Sequence, residues 1–180
     1  MSIDFTSIAY LENGNERQKN LYRLLTSYKI IEQLQAFDPI VVGTIPIDIA
    51  LESSDVDIIL YTENPELLVA VLNNYFSKWN DFHIERKEGT DQSVVCNFII
   101  EDIPFELYAT AIPTDQQAGY IHMVKEHEIL CRENSEFRKK IMELKQQGIK
   151  TEPAFCLLLG LITDDPYQKL LEFNVDTYYR

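Results

Sequence analysis

Two carboxylates at the mouth of an apolar run, Asp55-Val56-Asp57-Ile58-Ile59-Leu60, constrain this chain more than anything else in it. The stretch Val56 to Tyr61 has the length and β-branched content of a buried strand. Alternate side chains of a strand share a face, so Asp55 and Asp57 project together. Neighbouring carboxylates repel one another, and they stay ionised side by side when a cation lies between them, for which a divalent ion is the usual choice. Thr44, eleven residues before Asp55, closes a second apolar run, Val42-Gly43-Thr44, that reads as a strand entering a tight turn. Mg²⁺ is commonly held by one or two carboxylates and completes its shell with water and substrate phosphates. The pattern therefore predicts a metal-assisted phosphoryl- or nucleotidyl-transfer site holding one or two Mg²⁺ ions.

The 180 residues suffice for one domain with a substantial core. A net charge of −13 argues against broad contact with nucleic acid, which needs a basic surface. It leaves a nucleotide open, because a bound cation reverses the local field. No apolar run is long enough to cross a bilayer. Met1-Ser2-Ile3-Asp4 lacks the basic-then-apolar pattern of a secretory leader. Cys96, Cys131 and Cys156 are odd in number, widely spaced and without zinc-site spacing, which suits reduced thiols in a cytoplasmic protein. The sequence is silent on oligomeric state.

Along the chain, Leu21, Leu24, Leu25, Tyr28, Ile31 and Leu34 predict one helix over Glu16 to Phe37, stopped by Asp38-Pro39. Strand one is expected at Ile40 to Thr44. The alternation of Ile45-Pro46-Ile47-Asp48-Ile49 reads as extended, Glu52-Ser53-Ser54 as a turn, and Val56 to Tyr61 as strand two. Asn64-Pro65 opens a helix. A strand around Phe82 and Ile84, a loop over Gly89 to Gln92, and a hairpin of Ser93 to Ile100 with Ile103 to Ala109 follow. The remainder reads as helices over Gln116 to Cys131, over Ser135 to Gln147, from Thr151 with a buried interior through Ile162, and after Asp165-Pro166. This order predicts an α/β (α+β) fold with a short mixed sheet flanked by helices. Residues 1–112 would form the core, and residues 113–180 a helical C-terminal part packed on it as one compact unit.

In the last strand Glu106 is a carboxylate within an apolar run, costly to bury without a partner. Beside strand two it would join Asp55 and Asp57 as a third metal ligand or as a base. A solvated turn at Asp55-Asp57 and a water-facing Glu106 are the structural alternative.

Gly43-Thr44, the spacer, Asp55-Val56-Asp57-Ile58 and Glu106 together resemble the pattern of the polymerase-beta-like nucleotidyltransferase superfamily. More narrowly, Gly43-Thr44-Ile45-Pro46-Ile47 and Ser54-Asp55-Val56-Asp57-Ile58, followed by Tyr120-Ile121-His122-Met123 and Glu126, look like a bacterial domain family of unknown function on that fold. The resemblance spans Val41 to Cys131. It implies transfer of a nucleoside monophosphate from NTP to a hydroxyl or phosphate, with release of pyrophosphate. Gly43 and Thr44 would hold the triphosphate, Asp55 and Asp57 the metal, and Glu106 would complete the triad. Three positions depart from the pattern. Thr44 replaces the commoner Ser or Gly, and Glu106 replaces Asp. Ile45-Pro46-Ile47 lacks the usual Arg and does not look like a helix start.

His122 and Glu126, at i and i+4, share a helix face. With Lys125 they are expected on the nucleotide, an ordinary helix pair being the alternative. The acceptor is expected to be a small molecule or a protein. The rival reading is a nucleotide-binding or regulatory protein that kept the fold and lost transfer.

Overall fold

The computed structural model describes residues 3–87 and 93–179. The loop expected over Gly89 to Gln92 lies outside the described residues. Elements run in the order α1 (Ala9–Glu12), α2 (Glu16–Ser27), α3 (Ile30–Leu34), a 3₁₀ turn (Gln35–Phe37), β1 (Ile40–Val42), β2 (Val56–Tyr61), α4 (Pro65–Phe76), β3 (Asn80–Arg86), β4 (Val94–Ile100) and β5 (Ile103–Thr110). A 3₁₀ turn (Thr114–Gln116) leads into α5 (Ala118–Arg132), α6 (Ser135–Gln146), α7 (Thr151–Leu158), α8 (Pro166–Glu172) and α9 (Val175–Tyr178).

The strands form one mixed sheet in the order β1-β2-β5-β4-β3. β2 and β5 run parallel, and the other neighbouring pairs are antiparallel. Both faces are covered, as the apolar content of β2 requires. Period-two alternation sorts the side chains. Ile58 and Leu60 join Leu24, Leu34, Leu68 and Phe76 in the core beneath α2, α3 and α4. Ile59, with Ile40 and Val42 of β1, faces Met123, Ile129 and Phe155 in the core under α5 to α7. Asp57 is in phase with Ile59 and so faces the C-terminal helices.

Three expectations are corrected by the backbone. The single helix over Glu16 to Phe37 is broken at Lys29, whose φ of 55° is left-handed. The break aims Ile30 and Leu34 into the core, where both are fully buried. Strand one ends at Val42, and the segment after Gly43 turns instead of extending. The helix from Thr151 stops at Leu158, and Gly160 takes a φ of 69°. Leu157 and Ile162 are consequently exposed, at 60% and 98%. The hairpin is as expected: Glu101 and Asp102, at φ 49° and 65°, form its two-residue turn. No helix among the described residues is long and apolar enough to cross a membrane.

Candidate functional site

The site begins where β1 ends. Gly43 has a φ of 82°, and a Cβ there would lie 2.3 Å from Asp57 Oδ2. Both facts demand glycine: the conformation strains any other residue, and the backbone closes directly on the carboxylate of the next strand. Beyond it, residues 44–48 form a turn in which Asp48 has a φ of 61°.

That turn is pinned from two sides. Gln18 of α2 donates through Nε2 to Ile45 O at 3.0 Å and Pro46 O at 2.9 Å. Arg138 of α6 donates to Ile47 O and Asp48 O, each at 2.8 Å. Lys145 Nζ donates to Ile49 O at 2.6 Å. Five successive carbonyls thus accept from helix side chains, which is how an irregular segment with buried Ile45, Ile47 and Ile49 satisfies its backbone. The alternation that reads as a strand is real, but it describes side chains sunk between α2 and α6. Arg17, next to Gln18, donates to Glu52 O at 3.1 Å and Ser54 O at 2.6 Å, holding the turn that delivers Asp55.

On the sheet, the parallel register pairs Asp57 directly with Glu106. Paired residues point to the same face, so the two carboxylates stand side by side. Burial, then the charge of Asp55, then that of Glu106 push the Asp57 carboxyl up to about 7. Asp55 is exposed at the mouth of β2 and acts on Asp57 through space. Among the described residues, none of the three is in an ion pair.

A cavity of about 490 Å³ opens over this edge, lined by Gly43, Thr44, Asp57 and Glu106 on the sheet side. Its opposite wall is α5. Buried Gln117 fixes the start of that helix by donating to Leu60 O and Ile112 O, both at 2.9 Å. His122 and Glu126 face the cavity one turn apart, as the i, i+4 spacing predicts, and Glu152 from the start of α7 joins them. Their ligand atoms lie within 4.8 Å of one another. Burial lowers the His122 imidazole. Burial, followed by the charge of Glu152, holds Glu126 well above the usual carboxylate range.

Lys125 does not belong to this wall. Its ammonium donates to Leu171 O and to Phe173 O, capping the end of α8. Lys125 immediately precedes Glu126 and is rotated from it by about 100° around the helix, which turns its long side chain toward α8.

Two residues that the sequence reading passed over matter here. Lys145 is pushed down to about 8 by burial, while Glu126, Glu152 and Asp55 each favour its charged form. Its charge acts on both the sheet carboxylates and the helical ones. The signal was present: Phe137, Ile141 and Lys145 repeat every four residues, which puts a cation on the core-facing stripe of α6. Glu152 offered no such signal, since an acidic residue in the first turn of a helix is ordinary.

Comparison with solved structures returns nucleotidyltransferases. One Cid1 poly(U) polymerase structure bound to MgATP matches at TM-score 0.58 and 8% identity, covering 81% of this chain and 49% of that one. A cytoplasmic RNA terminal U-transferase matches at 0.57 and 9%, covering 86% and 51%. The polymerase core of TRAMP, an RNA surveillance complex, matches at 0.50 and 13%, covering 91% and 50%. The chain spans about half the length of these structures, and at such identities the likeness is one of fold. The fold is nucleotidyltransferase-like, as the resemblance of the motifs implied. The family model described as "Domain of unknown function (DUF4269)" matches residues 23–173. Comparison with curated proteins gives no match.

Proposed function

The chain belongs to the DUF4269 family, and we propose that it is a Mg²⁺-dependent nucleotidyltransferase moving NMP from NTP to a hydroxyl of a small molecule or protein. The observation that carries this reading is the in-register pair Asp57 and Glu106 beside Gly43 at the edge of an open cavity. The donor set fits the ion. Oxygen ligands suit Mg²⁺, and a carboxyl raised to about 7 by burial and then by like charges is one that a cation would return to its ionised form.

Asp57 and Glu106, with Asp55 at the mouth of the strand, would hold Mg²⁺. When bound, the ion supplies charge neutralisation for the triphosphate and acidifies an attacking hydroxyl. Gly43 keeps the backbone close to Asp57, so the phosphates meet main chain at that point. Thr44 offers its hydroxyl to a phosphate oxygen. Glu106, the longest of the three carboxylates, accepts the proton of the acceptor hydroxyl. The pinned turn at 44–48 holds these groups in place before substrate arrives.

The net charge of −13 favours a small-molecule or protein acceptor over RNA. RNA nonetheless belongs in the test, because the similar folds include an RNA terminal U-transferase. A second reading has its own support. The segment after Thr44 is a turn whose carbonyls are already engaged, and it offers no helix N-terminus to phosphate. A nucleotide-binding protein without transfer would look like this.

The test is pyrophosphate release from each NTP with Mg²⁺, in the presence of pooled hydroxylated metabolites, protein extract or RNA. Release that is lost in Glu106→Gln supports transfer and identifies the acceptor pool. Tight NTP binding without release under any acceptor supports the second reading.

A further inference from the structure

The helical wall of the cavity carries a group to which the proposed transfer chemistry assigns no step. His122 is 7% exposed and Glu126 is 4% exposed, both on α5, and they meet Glu152 of α7. Among the described residues, His122 Nδ1 and Glu126 Oε1 have no hydrogen-bonding partner. Buried polar atoms are nearly always satisfied, and leaving a carboxylate oxygen and an imidazole nitrogen bare together is costly. The Lys145 charge favours ionised Glu126, but its ammonium donates to Ile49 O and makes no hydrogen bond to either bare atom.

We infer that His122, Glu126 and Glu152 form a second divalent-cation site, selective for a borderline transition-metal ion of the zinc and manganese class. The donor chemistry decides the class. One imidazole nitrogen with two carboxylate oxygens suits zinc or manganese, whereas Mg²⁺ takes oxygen ligands and retains its waters. The geometry is close to ready. Three donor atoms within 4.8 Å of one another need only side-chain adjustment to come within about 2.0–2.2 Å of a single ion. The count is also informative. Three protein ligands beside an open cavity match sites that keep a position for water or substrate, and a closed structural site takes four.

Such an ion would join α5 to α7 across the cavity and present a Lewis-acidic position to whatever oxygen-bearing ligand enters. The site does not depend on the transfer reading, because its ligands come from helices and none lies on the sheet edge.

The test uses Asp57→Asn as the host, so that the sheet carboxylates are disabled, and titrates chelator-treated protein with Zn²⁺ by calorimetry at constant Mg²⁺. One Zn²⁺ per chain is expected in this host. Adding His122→Ala or Glu152→Gln should weaken it by at least about tenfold. Circular dichroism of the metal-free proteins establishes that each variant is folded, and Glu152→Gln, at the half-buried start of α7, is the less disruptive of the two. Co²⁺ substitution supplies a second readout, with visible absorption in the Asp57→Asn host that disappears in Glu152→Gln. Absence of Zn²⁺ binding in the Asp57→Asn host overturns the proposal. So does binding that survives loss of both His122 and Glu152. Loss of NTP binding in the same host bears on the sheet site alone and leaves this result separate.

Discussion

The two walls of the cavity gather acidic residues in different ways. On the sheet, Asp57 and Glu106 are set by backbone register: parallel pairing of β2 with β5 makes them neighbours regardless of side-chain packing. On the helical wall, His122 and Glu126 share a face because of helix periodicity, but Glu152 arrives only through the packing of α7 against α6 and α8. A register is held by backbone hydrogen bonds along the whole strand pair, although Asp57 and Glu106 are 49 positions apart, whereas a helix junction is set by side-chain packing. The sheet wall is also crowded by like charge, and the helical wall is left with bare polar atoms. The first arrangement suits a hard cation shared with phosphates, and the second a borderline ion held by imidazole.

Attacking the most constrained point of the sheet wall should have the largest effect. Gly43→Ala places a Cβ 2.3 Å from Asp57 Oδ2 at a φ of 82°. Left-handed backbone alone costs a non-glycine residue about 1–2 kcal/mol, and the contact adds to it. Thermal melts should show this loss together with collapse of Mg²⁺-dependent NTP binding. An unchanged melt would mean that the strand end can shift freely.

The pH dependence separates the ionisation of Asp57 from shape. With the Asp57 carboxyl raised to about 7 from an ordinary 3.8, the folded state holds this proton more tightly than the unfolded chain. Metal-free protein therefore loses stability as pH rises from about 4 to 7, and the full cost persists above 7. The shift corresponds to roughly 4 kcal/mol. Asp57→Asn should remove that cost, so that its stability gain over the parent is largest at pH 8 and vanishes near pH 4 in chelator-treated denaturant titrations. A gain independent of pH would contradict the raised Asp57 pKa.

Gln18→Leu tests the pinned turn that feeds the sheet wall. It removes both donors from Ile45 O and Pro46 O, at a cost of about 1–3 kcal/mol for buried carbonyls left bare. Weaker NTP affinity should accompany it, read by calorimetry. The smallest effect belongs to Lys125→Met. It loses the contacts to Leu171 O and Phe173 O at the end of α8 and should leave NTP affinity within about twofold, because Lys125 lies outside the cavity. A large fall in affinity would restore the role that the sequence suggested for it.

How much of this was legible follows from the same contrast. Strand alternation placed Asp57 and Glu106 on common faces, and the isolated carboxylate in β5 marked its own importance. Gly43 was legible as a turn, but its close approach to Asp57 was not, since the spacing of two strands is invisible in one sequence. The turn at 44–48 was misread because alternating Ile45, Ile47 and Ile49 satisfy a strand pattern while their carbonyls are satisfied by Gln18, Arg138 and Lys145, residues 27 to 96 positions away. Lys145 was readable as a cation on an apolar helical stripe. Glu152 was not, because nothing local distinguishes it from a residue that answers a helix dipole.

The measurement that bears most directly on the central claim is calorimetric binding of the four NTPs, with and without Mg²⁺, to the parent chain, Asp57→Asn and Glu106→Gln. The account predicts binding that requires the ion and falls by about a hundredfold or more in Asp57→Asn. Binding of equal strength without Mg²⁺, or undiminished in both variants, would contradict it.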